Sequence, residues 1–253
     1  MPLKKAEGNM YPWVTHTHSH LGGECPHKCV YCYVDHFPYG RPAKYQGELR
    51  LIEKEFSVQY GSGNTIFIEN CNDLMAEAVP QLFINKIIMH CLRWPDNDFV
   101  FQTKNPARYL TMDALFPDRS LFGCTIETNK FFIDNYAPAI SFAPAPVFRK
   151  EAMIKLDAQK FITIEPVLDF DVDVLASWMD QIRPEFVNIG ADSKGNHLPE
   201  PSPEKVMALI TELIAAGIDV RLKDNLVRLL PNDHSFIFNQ SKEWWMRHHE
   251  KRP

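Results

Sequence analysis

Three cysteines stand within one short run, Gly-Glu-Cys-Pro-His-Lys-Cys-Val-Tyr-Cys-Tyr, as Cys25, Cys29 and Cys32. Thiolates at such spacing ligate zinc or iron–sulfur clusters. A closed structural zinc site takes four protein ligands, and a fully protein-ligated iron–sulfur cube takes four thiolates. Here the other cysteines, Cys71, Cys91 and Cys124, are isolated from the triplet and from one another. Three thiolates can hold three irons of a [4Fe–4S] cube and leave the fourth iron open. An open coordination position is what a metal site needs to bind a substrate or cofactor. His27, His36 or one of His16, His18 and His20 offers a fourth zinc ligand, so ligand count alone leaves zinc open.

Positioning such a loop requires a scaffold, and the sequence beyond it repeats one theme. Short β-branched or aromatic runs alternate with helical patterns. The strand signals are Trp13–His18, Thr65–Cys71, Phe99–Lys104, Leu121–Asn129, Phe161–Asp169, Phe186–Asp192 and Asp219–Asp224. Helices are expected over Val79–Leu92, Pro106–Leu115, Phe148–Ala158, Val172–Ile182 and Pro203–Ala216, with a further one at Leu49–Phe56. The clearest is Pro203–Ala216, where Ser202 suits the cap, Pro203 the first helical position and Gly217 the end. Such alternation argues for an α/β fold with a parallel sheet and outer helices.

Within the strands the polar residues share a parity. Gln102 aligns with Lys104; Thr125 with Glu127 and Asn129; Thr163 with Glu165; Asn188 with Gly190 and Asp192; Arg221 with Lys223. The apolar face should meet the helices, which turns the polar face inward. A closed eight-stranded barrel fills its interior with apolar side chains. A polar interior therefore implies an incompletely closed barrel with a ligand inside. Lys104 and Lys223 become inward cations able to pair carboxylates or hold an anionic group.

The 253 residues fit one domain, 1–253, with a core over about 13–226 and a tail at 227–253 that mixes aromatic and basic residues. A net charge of −5 gives no global basic field of the kind that marks a nucleic-acid binder. The N-terminus shows no signal-peptide pattern and no run reaches transmembrane length, so a cytoplasmic protein with no membrane partner is expected. The proline-rich stretch Tyr136–Val147 is expected to be a semi-rigid loop and a candidate lid.

The triplet spacing, the aromatic Tyr31 before its last cysteine and the strand–helix series together resemble the radical SAM superfamily. The chain is similar to a branch of small, poorly characterised members from phages and bacteria. The resemblance implies a partial (β/α)6-type TIM barrel, open at one side. It implies a [4Fe–4S] cluster on Cys25, Cys29 and Cys32 whose free iron chelates S-adenosylmethionine (SAM). Electrons from an external flavodoxin- or ferredoxin-like reductant would then yield a 5′-deoxyadenosyl radical that takes hydrogen from substrate. By the same resemblance Tyr31 packs near the adenine, and Glu69 or Asn70 holds the methionine ammonium where the family often has Gly-Gly-Glu. Thr125, Glu127 and Asn129 are the ribose candidates, and Gly190 and Asp192 lie in the stretch approaching adenine. Glu165 contacts cofactor or substrate, and Cys71 is a candidate hydrogen-atom donor. The substrate expected is a small molecule or a nucleobase, including a nucleic-acid-linked group.

Two other readings use the same residues. A zinc-stabilised binding module would use the triplet with a histidine. A metal-dependent barrel hydrolase would use His16, His18 and His20 on one face of the first strand, and it needs further ligands that only Asp192 and Asp224 could supply.

Overall fold

A computed structural model describes residues 3–112, 116–130 and 140–230. In chain order the regular elements are β1 (Lys4–Lys5), β2 (His16–His18), β3 (Leu21–Gly22), β4 (Arg50–Leu51), β5 (Thr65–Ile68), α1 (Gln81–Leu92), β6 (Asp98–Thr103), α2 (Ala107–Thr111), β7 (Ser120–Thr125), α3 (Pro146–Lys155), β8 (Lys160–Ile164), α4 (Val172–Ile182), β9 (Phe186–Ile189), α5 (Pro203–Ala215) and β10 (Asp219–Leu222). The main sheet runs β1-β2-β5-β6-β7-β8-β9-β10. β1 pairs antiparallel to β2, and every other pair in this sheet is parallel. β1 and β10 are its two edges, so the barrel is partial and open, as expected.

All seven strand signals form strands of this sheet. They stop earlier than the sequence pattern does: β5 ends at Ile68, β7 at Thr125, β8 at Ile164 and β9 at Ile189. The polar residues that follow leave the ladder and form the rim. The helix expected at Leu49–Phe56 is instead β4 followed by a 3-10 helix, Glu53–Ser57. Pairing of Leu21 with Leu51 and Gly22 with Arg50 competes successfully with helix propensity there, because it closes the cysteine-bearing loop against the barrel. Residues 231–253 of the expected tail and 136–139 of the expected lid lie outside the described residues.

Strand parity separates two environments. Ile66, Ile68, Phe99, Phe101, Phe122, Cys124, Ile162, Ile164, Val187 and Ile189 pack in two cores beneath the outer helices. On the inner face, Phe67, Val100, Phe161 and Phe186 join Tyr11 and Val14 in a third core that plugs the barrel floor. Trp13 stacks on Tyr11 at 5.2 Å between centroids and meets Phe161 edge-on at 5.7 Å. Arg221 lies over the Phe186 ring at 3.4 Å. The interior is therefore aromatic at its base and polar only toward the C-terminal strand ends, a refinement of the uniformly polar interior expected. Tyr11 and Trp13 come from the segment before β2, outside the strand–helix rhythm.

Gly123 sits opposite Phe161 across the β7–β8 ladder. An added Cβ there would approach the Phe161 ring to 2.3 Å, and that ring is fully buried in the aromatic floor. Gly123→Ala is therefore expected to destabilise the protein by about 1–3 kcal/mol through overpacking. Urea denaturation reads this directly; an unchanged midpoint would show that the ring can move aside.

Candidate active site

The cysteine loop follows β3 at the C-terminal end of the barrel. Gly23, with φ of +91°, lets the chain turn where a Cβ would come within 2.2 Å of the Glu48 carbonyl oxygen. His27, between the first two cysteines, meets the buried Asp73 carboxylate with Nε2 at 2.9 Å from Oδ2. Asp73 also accepts hydrogen bonds from the Thr103 hydroxyl at 2.6 Å, Lys104 N–H at 2.7 Å and Met75 N–H at 3.0 Å. Burial would raise the Asp73 pKa, but His27 and the other donors outweigh it and hold the carboxyl below the usual range. On the other side, Val30 N–H donates to the Ile140 carbonyl and Phe142 N–H to that of His27. The described end of the proline-rich segment is thus pinned to the cysteine loop.

Cys25, Cys29 and Cys32 are free, half-buried thiols that border one cavity of about 510 Å³. Among the described residues, a group of three possible metal ligands whose donor atoms all lie within 4.8 Å of one another is His18, His20 and His90. Three thiols around one cavity fit a [4Fe–4S] cube, in which each thiolate binds a different iron.

The same cavity is bordered by Asn70, Cys71, Asn72, Gln102, Lys104, Thr125, Thr163, Glu165, Asp192 and Lys223, which six strands and their loops bring together. On its floor the Tyr11 hydroxyl meets Gln102 Oε1 at 2.8 Å and Thr163 Oγ1 at 2.7 Å. The Gln102 amide donates to Thr125 Oγ1 at 2.9 Å. On the far wall Lys223 Nζ lies 2.8 Å from Glu165 Oε2, and Asn9 and Asn225 donate to Oε1 of the same carboxylate. Cys71 Sγ stands 3.2 Å from the Tyr33 hydroxyl, which donates to the Asn70 carbonyl at 2.5 Å.

Other expected residues are placed differently. Glu127 is buried, its carboxylate held by Arg149 Nη1 at 2.7 Å, by the Tyr31 hydroxyl and by Lys104 Nζ at 3.9 Å. Asn129 bonds Asp171, and neither Glu127 nor Asn129 borders the cavity. Glu69 does border the cavity, with its carboxylate accepting from His20 and the backbone N–H of Leu21. Gly190 leaves room for the Glu165 side chain, which a Cβ would meet at 2.7 Å. Asp192 borders the cavity but accepts from Lys194 N–H and the Asn196 amide, which sets the loop. His16 bonds Thr15, while His18 and His20 pack with His90 outside the cavity, so the three-histidine run does not form one metal site.

Sequence reasoning missed Asn9, Tyr11, Asp73, Arg149 and Asn225, and it offered His27 as a zinc ligand where the structure pairs it with Asp73. The parity of the strands carried no information on the first two, which precede the barrel. Asp73 lies two residues beyond Cys71 and carried no local signal other than an acidic residue after a strand.

Among solved structures, a cysteine-to-serine mutant of spore photoproduct lyase matches with a TM-score of 0.55 at 11% identity over 95% of this chain and 76% of that one. A second spore photoproduct lyase mutant, with bound AdoMet and dinucleoside spore photoproduct, matches with a TM-score of 0.55 at 10% identity over 98% and 78% of the two chains. The fold is therefore the open, mostly parallel α/β barrel that spore photoproduct lyase also has. No family model and no curated protein matches the sequence. In this chain the C-terminal strand ends and the cysteine loop border one cavity. Among the described residues no helix is long and apolar enough to cross a membrane.

The Glu127–Arg149 pair anchors the β7 end to α3. Burial would raise the Glu127 pKa, but Arg149 and then Lys104 outweigh it and hold the carboxyl below its ordinary value of 4.5. Its ionisation therefore adds stability above about pH 4.5 that is lost as pH falls through the lower folded-state value. Arg149→Met strands the carboxylate and is expected to cost about 3–5 kcal/mol. Adding Glu127→Gln should recover much of that loss at pH 7 in chemical denaturation. A double variant no more stable than Arg149→Met alone would refute this account of the pair.

Proposed function

We propose that the chain is a radical SAM enzyme acting on a small polar or nucleobase-containing substrate. The observation that carries the reading is the convergence of three thiols and the polar strand ends on one cavity of about 510 Å³. That volume falls in the range that encloses small-molecule ligands. Cys25, Cys29 and Cys32 would hold a [4Fe–4S] cluster. When bound, such a cluster with an open iron supplies the electron, from an external flavodoxin- or ferredoxin-like reductant, that cleaves SAM to a 5′-deoxyadenosyl radical.

The protein's own residues position and shield. Asn70 and Asn72, beside the cysteines, are the polar side chains nearest to hand for the methionine end of SAM, since Glu69 is spent on His20 and Leu21. Lys104 would offset negative charge at the cysteines: burial would lower its pKa, but the charges of Cys29 and Glu127 outweigh that and raise it. Thr125 and the Ala191–Lys194 loop border the space toward the far wall and are the candidates for the nucleoside part of SAM. Tyr31, with its hydroxyl on Glu127, stiffens the wall beside Cys32.

Gln102, Thr163, Tyr11 and the Glu165–Lys223 pair present donors and acceptors to a substrate on the floor. A nucleobase edge offers the matching pattern, and spore photoproduct lyase with its bound dinucleoside lends support to that substrate class. Cys71 borders the same cavity and is the proposed hydrogen-atom donor to a substrate radical. Exclusion of water falls to the aromatic floor below and to the cysteine loop above.

The test is anaerobic reconstitution with iron and sulfide, followed by SAM and dithionite. We expect about four irons and four sulfides per chain, in line with a [4Fe–4S] cluster, and formation of 5′-deoxyadenosine. Cys29→Ser should abolish both. Cys71→Ala should retain the cluster and SAM cleavage. A protein that takes up a single zinc at the cysteines and forms no 5′-deoxyadenosine would overturn the proposal.

A further inference from the structure

A second cluster of chemistry-bearing side chains lies outside the barrel, between the sheet and α1. It consists of His18 at the end of β2, His20 two residues later and His90 on α1, which are 7%, 0% and 3% exposed. None of the three borders the cysteine cavity. One ring nitrogen from each lies within 4.8 Å of the other two.

The hydrogen-bond directions around these rings can be worked out. His20 Nδ1 is 3.0 Å from Glu69 Oε1, and the same carboxylate accepts the backbone N–H of His20 at 2.5 Å and of Leu21 at 3.2–3.3 Å. In its ionised form that carboxylate accepts from the N–H groups around it, and His20 Nδ1 then carries its hydrogen. His90 Nε2 is 3.1 Å from the Val58 carbonyl oxygen, which only accepts, so His90 Nε2 is protonated too. His18 Nε2 faces the Glu55 carbonyl oxygen at 3.3 Å in the same way.

A neutral imidazole has a single N–H. His20 Nε2 and His90 Nδ1 are then both bare, yet they are 2.8 Å apart. Two lone pairs at that distance repel unless a cation lies between them. A proton shared by the rings would put a charge between imidazoles that are 0% and 3% exposed, and burial disfavours that charge. Among the described residues His20 is also the only basic side chain within 4.0 Å of the buried Glu69 carboxylate, and the nearby Lys44 ammonium is engaged by the Ser19 carbonyl and Glu55.

We propose that His18, His20 and His90 form a structural site for a divalent zinc-type ion, distinct from the cysteine site. Each imidazole has its outer nitrogen bonded to a carbonyl or carboxylate, which is how metal-bound histidines are ordinarily oriented. The Tyr60 hydroxyl, 3.1 Å from His20 Nε2, faces the fourth position. With zinc–nitrogen bonds of about 2.0–2.1 Å, the His20 and His90 nitrogens need to separate by roughly half an ångström. Such an ion would tie α1 to the β2–β3 connection, directly ahead of the cysteine loop. The rival arrangement is a proton on Glu69, which donates to His20 and lets His20 donate to His90.

The test removes the other site first. In the triple variant Cys25→Ser/Cys29→Ser/Cys32→Ser, we expect one equivalent of zinc by elemental analysis after dialysis. Cobalt substituted for it should show the intense visible bands of four-coordinate nitrogen ligation without a sulfur-to-cobalt charge-transfer band. In that background Glu69→Gln should weaken cobalt binding by about 10–100-fold, and His90→Asn should remove it. A triple variant that is folded by circular dichroism but binds neither metal overturns the site and leaves the proton on Glu69. Binding that survives both added substitutions unchanged also overturns it. Because the triplet is absent throughout, the outcome is independent of the radical SAM reading.

Discussion

One buried carboxylate, Asp73, ties the cysteine loop to the barrel. It takes hydrogen bonds from His27 in the loop, from Thr103 and Lys104 at the end of β6 and from its own turn at Met75. Four donors converge from three chain segments on two oxygens. Breaking any one leaves a buried charge less satisfied, which is costly in a low-dielectric interior. The loop therefore cannot drift away from the strand ends without exposing or stranding this group. Three thiols on eight residues of otherwise irregular chain gain a fixed direction from that constraint.

The other ionic contacts around the cavity follow the same logic. Glu127 with Arg149, and Glu165 with Lys223, are charges the barrel interior tolerates because each is paired and further hydrogen-bonded. The two pairs behave differently toward a ligand. Glu127 lies behind the wall, where it holds Tyr31 and Lys104 in place. Glu165 and Lys223 border the open space. A carboxylate that faces inward by strand parity can be a wall fastener or a ligand contact, and only the third dimension separates the two.

Much of the scaffold was legible in the sequence. All seven strand signals formed strands, and α4 spans Val172–Ile182 as the pattern predicts. Apolar residues on alternate positions must be buried together, and that requirement reads directly from period two. Element ends were less legible, because the same alternation continues past Ile68, Thr125, Ile164 and Ile189 into rim loops that no longer pair. The region around Leu49–Phe56 went to a strand and a 3-10 helix because its partner, Leu21–Gly22, lies far away in sequence.

By itself the sequence marked the triplet as a set of thiolate metal ligands, since thiolate count and spacing are local, and determined the α/β class, since hydrophobic period is local too. The tertiary structure alone decided which polar residues meet. It brought Asn9 and Tyr11 up through the barrel floor, spent Glu69 on His20 and Leu21, buried Glu127 against Arg149 and joined His90 to His18 and His20. Each of those outcomes is a pairing between residues distant in sequence. A buried donor or acceptor must find a partner somewhere, but nothing local specifies which one the chain path will supply.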